Sequence, residues 1–254
     1  MHINTNSISP GPDPTLFPST TLEPSETHTK QPPIPAQPTK PRTYQKHLYF
    51  AYGSNLSPKQ MKSRCRMNPT HSATPLAIAT LPKWRWLISE AGYANVLPRP
   101  GLRVPAQDTE IARKIPVSGD EDAVYGVLYQ MDLEDELILD AYEGVDELAE
   151  DAESGCGVPF NIRPKVQGNG SYNKWYCEAV VVKWLDGAEG VREGFGAGGE
   201  GKVPVLVYVD ENCVRLAEPK FEYIARMNRA IRESVALGVS KSWIDQVMRK
   251  FIPE

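Results

Sequence analysis

The chain has 254 residues, an ordinary hydrophobic share of 41% and a net charge of −4 at pH 7. This charge gives no electrostatic reason to expect a nucleic-acid partner, and no apolar run approaches the length of a membrane span. Cys65, Cys156, Cys177 and Cys213 lie far apart, which argues against a zinc cluster or a redox pair and suits a reducing compartment. We therefore expect a cytoplasmic protein with no metal site, no nucleic-acid partner and no membrane partner.

Residues 1–45 form a distinct region that is rich in proline, serine and threonine and poor in large apolar side chains. Such a segment cannot bury enough apolar surface to offset the entropy lost on ordering. It also lacks the apolar core that a signal peptide needs. We predict a disordered tail over residues 1–45 and one folded domain over residues 46–254.

The stretch 47–58 combines an apolar strand, a tight loop and a helix start. The strand is predicted to end at Tyr52, and Gly53-Ser54-Asn55 is a run that bends easily into turns. Ser57 can then cap a helix that has Pro58 at its first position. A loop of this kind presents backbone N–H groups that can hold an anion or a carbonyl oxygen that develops charge. The same spacing is also typical of an ordinary strand-to-helix connection.

Short apolar runs predict further strands along the chain, about seven in all, and two helices close it. The first closing helix is predicted to stop at Gly238, and Ser240 is predicted to cap the second. The other predicted strands cover residues 77–81, 84–88, 91–98, 123–131, 175–182 and 203–209.

A helix is predicted from residue 132 to Tyr142, with Gly144 where a left-handed residue commonly ends a helix. The prediction rests on apolar residues that fall on one helical face, namely Leu133, Leu137, Ile138 and Ala141.

Glu143 is thereby placed at the carboxyl end of a helix, where the macrodipole and the unsatisfied carbonyl groups oppose a negative charge. Asp140, Asp146 and Glu147 are near in sequence, and each like charge makes ionisation of a carboxyl group harder. These features make Glu143 a candidate for a group that both takes and returns a proton near neutral pH. From the sequence alone, the alternative is that Glu143 belongs to the acidic, solvated surface of residues 132–153.

Several segments together resemble the γ-glutamylcyclotransferase family. Residues 49–56 resemble its signature loop of tyrosine, glycine, serine and asparagine followed by leucine or methionine. Gly92-Tyr93-Ala94 resembles its glycine-x-alanine strand, and residues 139–145 resemble its segment of leucine, aspartate, two variable residues, glutamate, glycine and valine. With the strand at 123–131 and the carboxy-terminal pattern after Pro219, the resemblance covers roughly residues 46–253 in the family's order.

The resemblance implies an α+β fold, a mixed β-barrel with peripheral helices. It implies a lyase-type reaction in which a γ-glutamyl group closes on its own amine to give 5-oxoproline and releases an amino acid, a peptide or an amine. Glu143 matches the family's catalytic glutamate, and no cofactor is implied. The partner is a small γ-glutamyl molecule, and the chain is expected to be a monomer or a homodimer. The substrate-binding residues implied or suggested by position are Tyr52, Gly53, Ser54, Asn55, Leu56, Gly92, Ala94 and Tyr223.

Some readings stay open at this stage. Tyr223 suits core packing as well as the rim of a pocket. The family places a tyrosine at the start of the strand after the glutamate segment, and residues 158–163 supply none. This departure leaves two alternatives, a cyclotransferase for glutathione conjugates in fungal secondary metabolism and a module that binds γ-glutamyl or carboxylate ligands without turnover.

Overall fold

The computed structural model describes residues 47–98, 123–151, 161–162, 165–195 and 201–254. The predicted disordered tail over residues 1–45 lies outside these ranges and stays a prediction.

The described residues form eight strands. They are β1 (Leu48–Ala51), β2 (Pro75–Pro82), β3 (Arg85–Ile88), β4 (Ala94–Leu97), β5 (Ala123–Tyr129), β6 (Asn161–Ile162), β7 (Asn173–Trp184) and β8 (Lys202–Val209).

Five of these strands close into a barrel. The sheet order is β2-β5-β1-β8-β7-β6, and β2 also pairs with β7, which closes the ring and leaves β6 on its edge. Strand β1 runs parallel to β8, whereas the other neighbours in the ring run antiparallel. Strands β3 and β4 form a separate antiparallel pair.

Helices and two 3₁₀ turns surround this barrel in the described part of the chain. They are α1 (Pro58–Arg64), α2 (Pro69–Ser72), α3 (Leu133–Glu143), α4 (Glu189–Gly194), α5 (Phe221–Leu237) and α6 (Lys241–Gln246), with the turns at Ser54–Leu56 and Met248–Lys250. The predicted α+β class, a mixed barrel with peripheral helices, is confirmed. Among the described residues, no helix combines the length and the apolar character needed to span a bilayer.

Local signals set the ends of these helices, as the sequence predicts. The Ser57 hydroxyl accepts a hydrogen bond of 3.0 Å from the amide of Gln60 and caps α1. Gly238 ends α5 in the left-handed region at φ 114°. Ser240 then caps α6 by accepting from the amide of Trp243 at 3.2 Å.

Strand β1 lies at the centre of the molecule. All four of its residues are buried, and Leu48 and Phe50 have no exposed surface. A strand covered on both faces has a continuous apolar sequence rather than an alternating one, which is the pattern seen here. The loop that follows β1 is therefore attached to a rigid part of the core.

Helix α3 turns its acidic side toward the protein. Asp135, Glu136 and Asp140 are buried, whereas the side of the helix with Leu133 and Leu137 is exposed. The apolar spacing in the sequence predicted the helix correctly. The inward face combines Leu139, which packs in the core, with these carboxylates, which need hydrogen bonds or cations when buried.

Lys174, on β7, supplies the cation for this buried face. Its ammonium donates to Glu136 Oε1 at 2.6 Å and to Asp140 Oδ2 at 2.9 Å. Burial alone would raise the pKa of Glu136, but the hydrogen bond from His47 and the charge of Lys174 outweigh burial and lower this pKa to about 2. Burial dominates at Asp140 and raises its pKa, despite the nearby Lys174. The cluster fixes the rotation of α3 and so the direction in which its end points.

We expect Lys174→Met to destabilise the protein by about 3–5 kcal/mol, because it leaves two buried carboxylates without their cation. Lys183→Met is the matched control, since Lys183 is exposed on the same strand. The control should change stability by no more than about 0.5 kcal/mol. Chemical denaturation at pH 7 measures both, and a loss below about 1 kcal/mol for Lys174→Met would contradict this role of the cluster.

Candidate active site

The loop after β1 folds into the 3₁₀ turn Ser54–Leu56. The amide of Leu56 donates to the carbonyl of Gly53 at 3.0 Å, so this amide is occupied within the turn. The amides of Gly53, Ser54 and Asn55 open the turn, where backbone N–H groups have no intrahelical partner. The side chain of Leu56 is fully buried in the core. Leu56 therefore lies in the core and outside the cavity lining, and its predicted binding role stays a prediction.

Glu143 is the last residue of α3 and lies beside this loop. Gly144 ends the helix in the left-handed conformation, with φ 65° and ψ 43°. The carboxylate is 16% exposed, and its Oε1 accepts from Asn55 Nδ2 at 3.0 Å and from Arg64 Nη1. The loop and the helix end are thus joined through one carboxylate oxygen.

The charges around Glu143 differ from those predicted. Asp140 points into the protein, where it accepts hydrogen bonds from Lys174 and Tyr208. Asp146 accepts from the backbone amides of Leu148, in its own loop, and of Asn169, in the loop before β7. Among the described residues, the charged side chain that contacts Glu143 is Arg64, a cation rather than one of the predicted carboxylates. Sequence neighbours on a helix end can point in different directions, and the cation comes from α1.

A cavity of about 250 Å³ lies between the loop and Glu143. Its wall is rich in tyrosine, and the remaining lining residues include the two arginines discussed below as well as Ala94, Gly144 and Ser171. The tyrosines of the wall are Tyr49, Tyr52, Tyr93, Tyr142, Tyr172, Tyr208 and Tyr223.

The buried tyrosines of this wall stay protonated at neutral pH. Burial raises the pKa of Tyr49, Tyr52, Tyr172 and Tyr208 well above the usual value, and raises that of Tyr223 to about 12. Their rings and neutral hydroxyl groups therefore line the cavity without adding negative charge. Sequence reasoning missed most of this wall, because its members come from separate strands and helices.

Tyr172 corrects one expectation from the sequence. The resemblance predicts a tyrosine at the start of the strand after α3, and the sequence places that start at residues 158–163. The described part of that stretch is the short edge strand β6, and the long strand is β7, which starts one residue after Tyr172. The hydroxyl of Tyr172 donates to the carbonyl of Ala94 at 2.8 Å inside the cavity wall. A pocket tyrosine is therefore present.

Tyr223 lies in the cavity wall rather than only in the core. Burial raises the pKa of Tyr223 to about 12, although the neighbouring backbone of Ala94 and Ser54 lowers this pKa in part. A Cβ atom at Gly53 would lie 3.0 Å from the Tyr223 hydroxyl and 3.3 Å from Cβ of Ala94. Glycine at this position thus allows Tyr223 to approach the loop.

Gly92 and Ala94, predicted together as cavity residues, are separated by the structure. Ala94 lines the cavity at the start of β4. Gly92 lies in the turn between β3 and β4 at φ 78°, and its carbonyl accepts from the amide of Lys220. The strand begins two residues later than predicted, and Gly92 lies in the turn outside the cavity lining, so its binding role stays a prediction. Of the other predicted binding residues, Tyr52, Gly53, Ser54 and Asn55 all line the cavity.

The charged residues that line the cavity are Arg64, Glu143 and Arg226. Within the part of the chain that the structure describes, no group of three or more histidine, cysteine, aspartate or glutamate side chains has the arrangement of a metal site.

No protein-family model matches the chain, and no curated protein matches it significantly. Solved structures do resemble it. YkqA from Bacillus subtilis is 15% identical with a TM-score of 0.48, and the match covers 81% of this chain. The chain spans about half the length of YkqA, since 54% of that chain is covered.

A γ-glutamylcyclotransferase specific to glutathione from yeast also resembles the chain. Two structures of it, one labelled with selenomethionine, have TM-scores of 0.45 and 0.43 at 13% identity. These matches cover 77% and 80% of this chain and 89% and 98% of the yeast chain. The solved structures that resemble this chain thus include a γ-glutamylcyclotransferase. The function of the site is inferred from its own geometry.

We expect Gly53→Ala to destabilise the protein by about 1–2 kcal/mol, because the added methyl group crowds the Tyr223 hydroxyl. Tyr223→Phe removes that oxygen, so the double variant should be more stable than the sum of the single changes by about 0.5–1 kcal/mol. Tyr93→Phe is the control partner, since the Tyr93 hydroxyl donates to Glu222 instead. Chemical denaturation gives the coupling energies. Additive effects for Gly53→Ala with Tyr223→Phe would contradict the contact.

Proposed function

We propose that this protein is a γ-glutamylcyclotransferase, which closes a γ-glutamyl group to 5-oxoproline and releases the attached amine. One observation carries the proposal. The side chain of Asn55, in the loop after β1, donates to the carboxylate of Glu143, so the carboxylate and the loop amides border the same cavity.

The reaction needs little from the protein, because the substrate carries its own nucleophile. The α-amine forms a bond to the γ-carbonyl carbon, and the amide bond from that carbon to the leaving nitrogen breaks. The α-ammonium nitrogen loses two protons as it becomes the lactam N–H, and the leaving nitrogen gains two, so that it departs as an ammonium group. A site that folds the substrate and manages these protons therefore accelerates the reaction, since both reacting groups belong to one molecule.

Glu143 is suited to accept and return these protons. Its hydrogen bonds within the described residues, from Asn55 and Arg64, both go to Oε1. Oε2 is therefore the oxygen that the substrate ammonium group would meet. A carboxylate whose other oxygen is held by two donors is fixed in orientation, which proton transfer over hydrogen-bond distance requires.

The loop supplies donors for the other charged parts of the substrate. The amides of Gly53, Ser54 and Asn55 lie at the start of the turn, where they can bind the substrate carboxylate or the oxyanion that forms during ring closure. The neutral tyrosine wall encloses the reacting groups.

Binding without turnover is a second candidate, which the ion pair of Glu143 with Arg64 favours. A carboxylate already held by a cation can orient a ligand and still fail to take its proton. Titration with a γ-glutamyl dipeptide, glutathione and a glutathione adduct, with 5-oxoproline measured in parallel, separates the candidates. Binding of these compounds without release of 5-oxoproline would select the binding module, and preferred turnover of the adduct would select a cyclotransferase for glutathione conjugates.

We expect Glu143→Gln to lower the rate of 5-oxoproline release by at least about a hundredfold, because the amide cannot accept the ammonium proton. The amide oxygen still accepts hydrogen bonds from Asn55 and Arg64, so the melting temperature should change little. Glu134→Gln is the matched control, since Glu134 is an exposed residue of the same helix. It should retain the parent rate within about twofold. Equal rates for the parent and Glu143→Gln would eliminate Glu143 as the base.

A further inference from the structure

Arg226 is a cation at the cavity that the steps above do not use. It lies on α5, three residues after Tyr223, and lines the cavity. Its guanidinium carbon is 5.1 Å from the centre of the Tyr223 ring and 5.9 Å from that of Tyr93. The side chain is 32% exposed. Cation–π contacts with these two rings hold the guanidinium group beside the cavity.

The acidic neighbour of Arg226 is only weakly engaged. Glu222 Oε1 lies 3.5 Å from Arg226 Nη2, and the same oxygen accepts a hydrogen bond of 2.9 Å from Tyr93. Glu222 is 56% exposed, so the ion pair is largely solvated. Within the described ranges, no hydrogen bond joins Arg226 to another residue. Apart from the long, solvated contact of Nη2 with Glu222, its N–H donors can therefore bind a carboxylate.

A chain of contacts leads from Glu143 across the loop after β1 to Arg226. Glu143 contacts Asn55, and the hydroxyl of Tyr223 lies against Gly53 of the same loop. The ring of Tyr223 in turn makes a cation–π contact with Arg226. A substrate that places its reacting end at Glu143 and lies along the loop would thus direct a more distant group toward Arg226.

The charges of the cavity favour an anionic distant group. Arg64 and Glu143 pair with each other, which leaves Arg226 as the additional positive charge among the described lining residues. The α-ammonium and α-carboxylate groups of a γ-glutamyl compound cancel. A leaving group with a free carboxylate adds one negative charge, whereas a simple amine adds none.

We propose that Arg226 binds the carboxylate of the leaving group, which makes γ-glutamyl amino acids and peptides the preferred substrates over γ-glutamyl amines. This inference rests on the proposed function, since it assigns the reacting end of the substrate to Glu143. Arginine suits the role because its planar donors match a carboxylate in a bidentate arrangement.

The test uses a matched pair of ligands, γ-glutamylalanine and the same dipeptide with its C-terminal carboxylate capped as an amide. The kcat/KM for 5-oxoproline release is measured for both ligands. The Kd for both is measured by titration in the Glu143→Gln background, where turnover is expected to be slow. The variants are Arg226→Gln, Arg226→Lys and the control Arg232→Gln, an exposed arginine of the same helix.

With Arg226 intact, the free acid should be preferred by about tenfold, both in kcat/KM and in the Kd of the Glu143→Gln background. This is the preference expected for one partly exposed charge-assisted pair. Arg226→Gln should bring the acid-to-amide ratio to about one, and Arg226→Lys should give an intermediate ratio because the charge remains without the fork. Arg232→Gln should keep the parent ratio. A melting curve for each variant establishes that the protein is folded. If Arg226→Gln does not fold, the comparison of Arg226→Lys with the parent still tests the inference.

Three results would overturn the inference. They are an acid-to-amide ratio near one in the parent, an equal loss for both ligands in the Arg226 variants, or no binding of either ligand. Failure of the proposed function gives a different result. In that case the Kd ratios would follow Arg226 as expected, while the parent protein would release no 5-oxoproline.

Discussion

The hydrogen bond between Asn55 and Glu143 is the contact on which the site depends. It joins two segments 88 residues apart in the chain, the loop after β1 and the end of α3. Asn55 is buried and also donates to the hydroxyl of Tyr49 on β1 at 2.8 Å. The side-chain amide of Asn55 is thus held by Tyr49 of the strand as well as by the Glu143 carboxylate. Without this contact, the loop amides and the carboxylate would have no common orientation.

The buried charges beneath α3 give the carboxylate its position. Asp140 and Glu143 are three residues apart on one helix, so the buried residue that binds Lys174 and the residue at the cavity are neighbours. Asp140 accepts from Lys174 and from Tyr208, whose ring also lines the cavity. Buried ion pairs contribute little net stability compared with apolar packing, but they require one arrangement of their partners. In this protein we infer that the arrangement sets the direction of the helix end.

The sequence predicted those parts of the molecule that local signals control. Ser57, Gly144, Gly238 and Ser240 end or begin helices as expected, because caps and left-handed residues act within one turn. The strands follow from short apolar runs, and their closure into a barrel agrees with the family resemblance.

The parts that the sequence did not predict depend on contacts between distant segments. Arg64 and Tyr172 are distant from Glu143 in the sequence, and the fold brings them to the same cavity. No spacing pattern in the sequence links either residue to Glu143. Leu56 and Gly92 were assigned to binding by resemblance, whereas one packs in the core and the other forms a turn. A motif thus indicates which segment forms a site, and the fold decides which of its side chains face the ligand.

The central claim is that the γ-carbonyl carbon of the substrate is attacked by the substrate's own amine and not by water. The most direct measurement is mass analysis of the glutamyl product after turnover of a γ-glutamyl dipeptide in ¹⁸O-labelled water. The account predicts 5-oxoproline without the label. Free glutamate carrying one ¹⁸O atom would show hydrolysis and would contradict it.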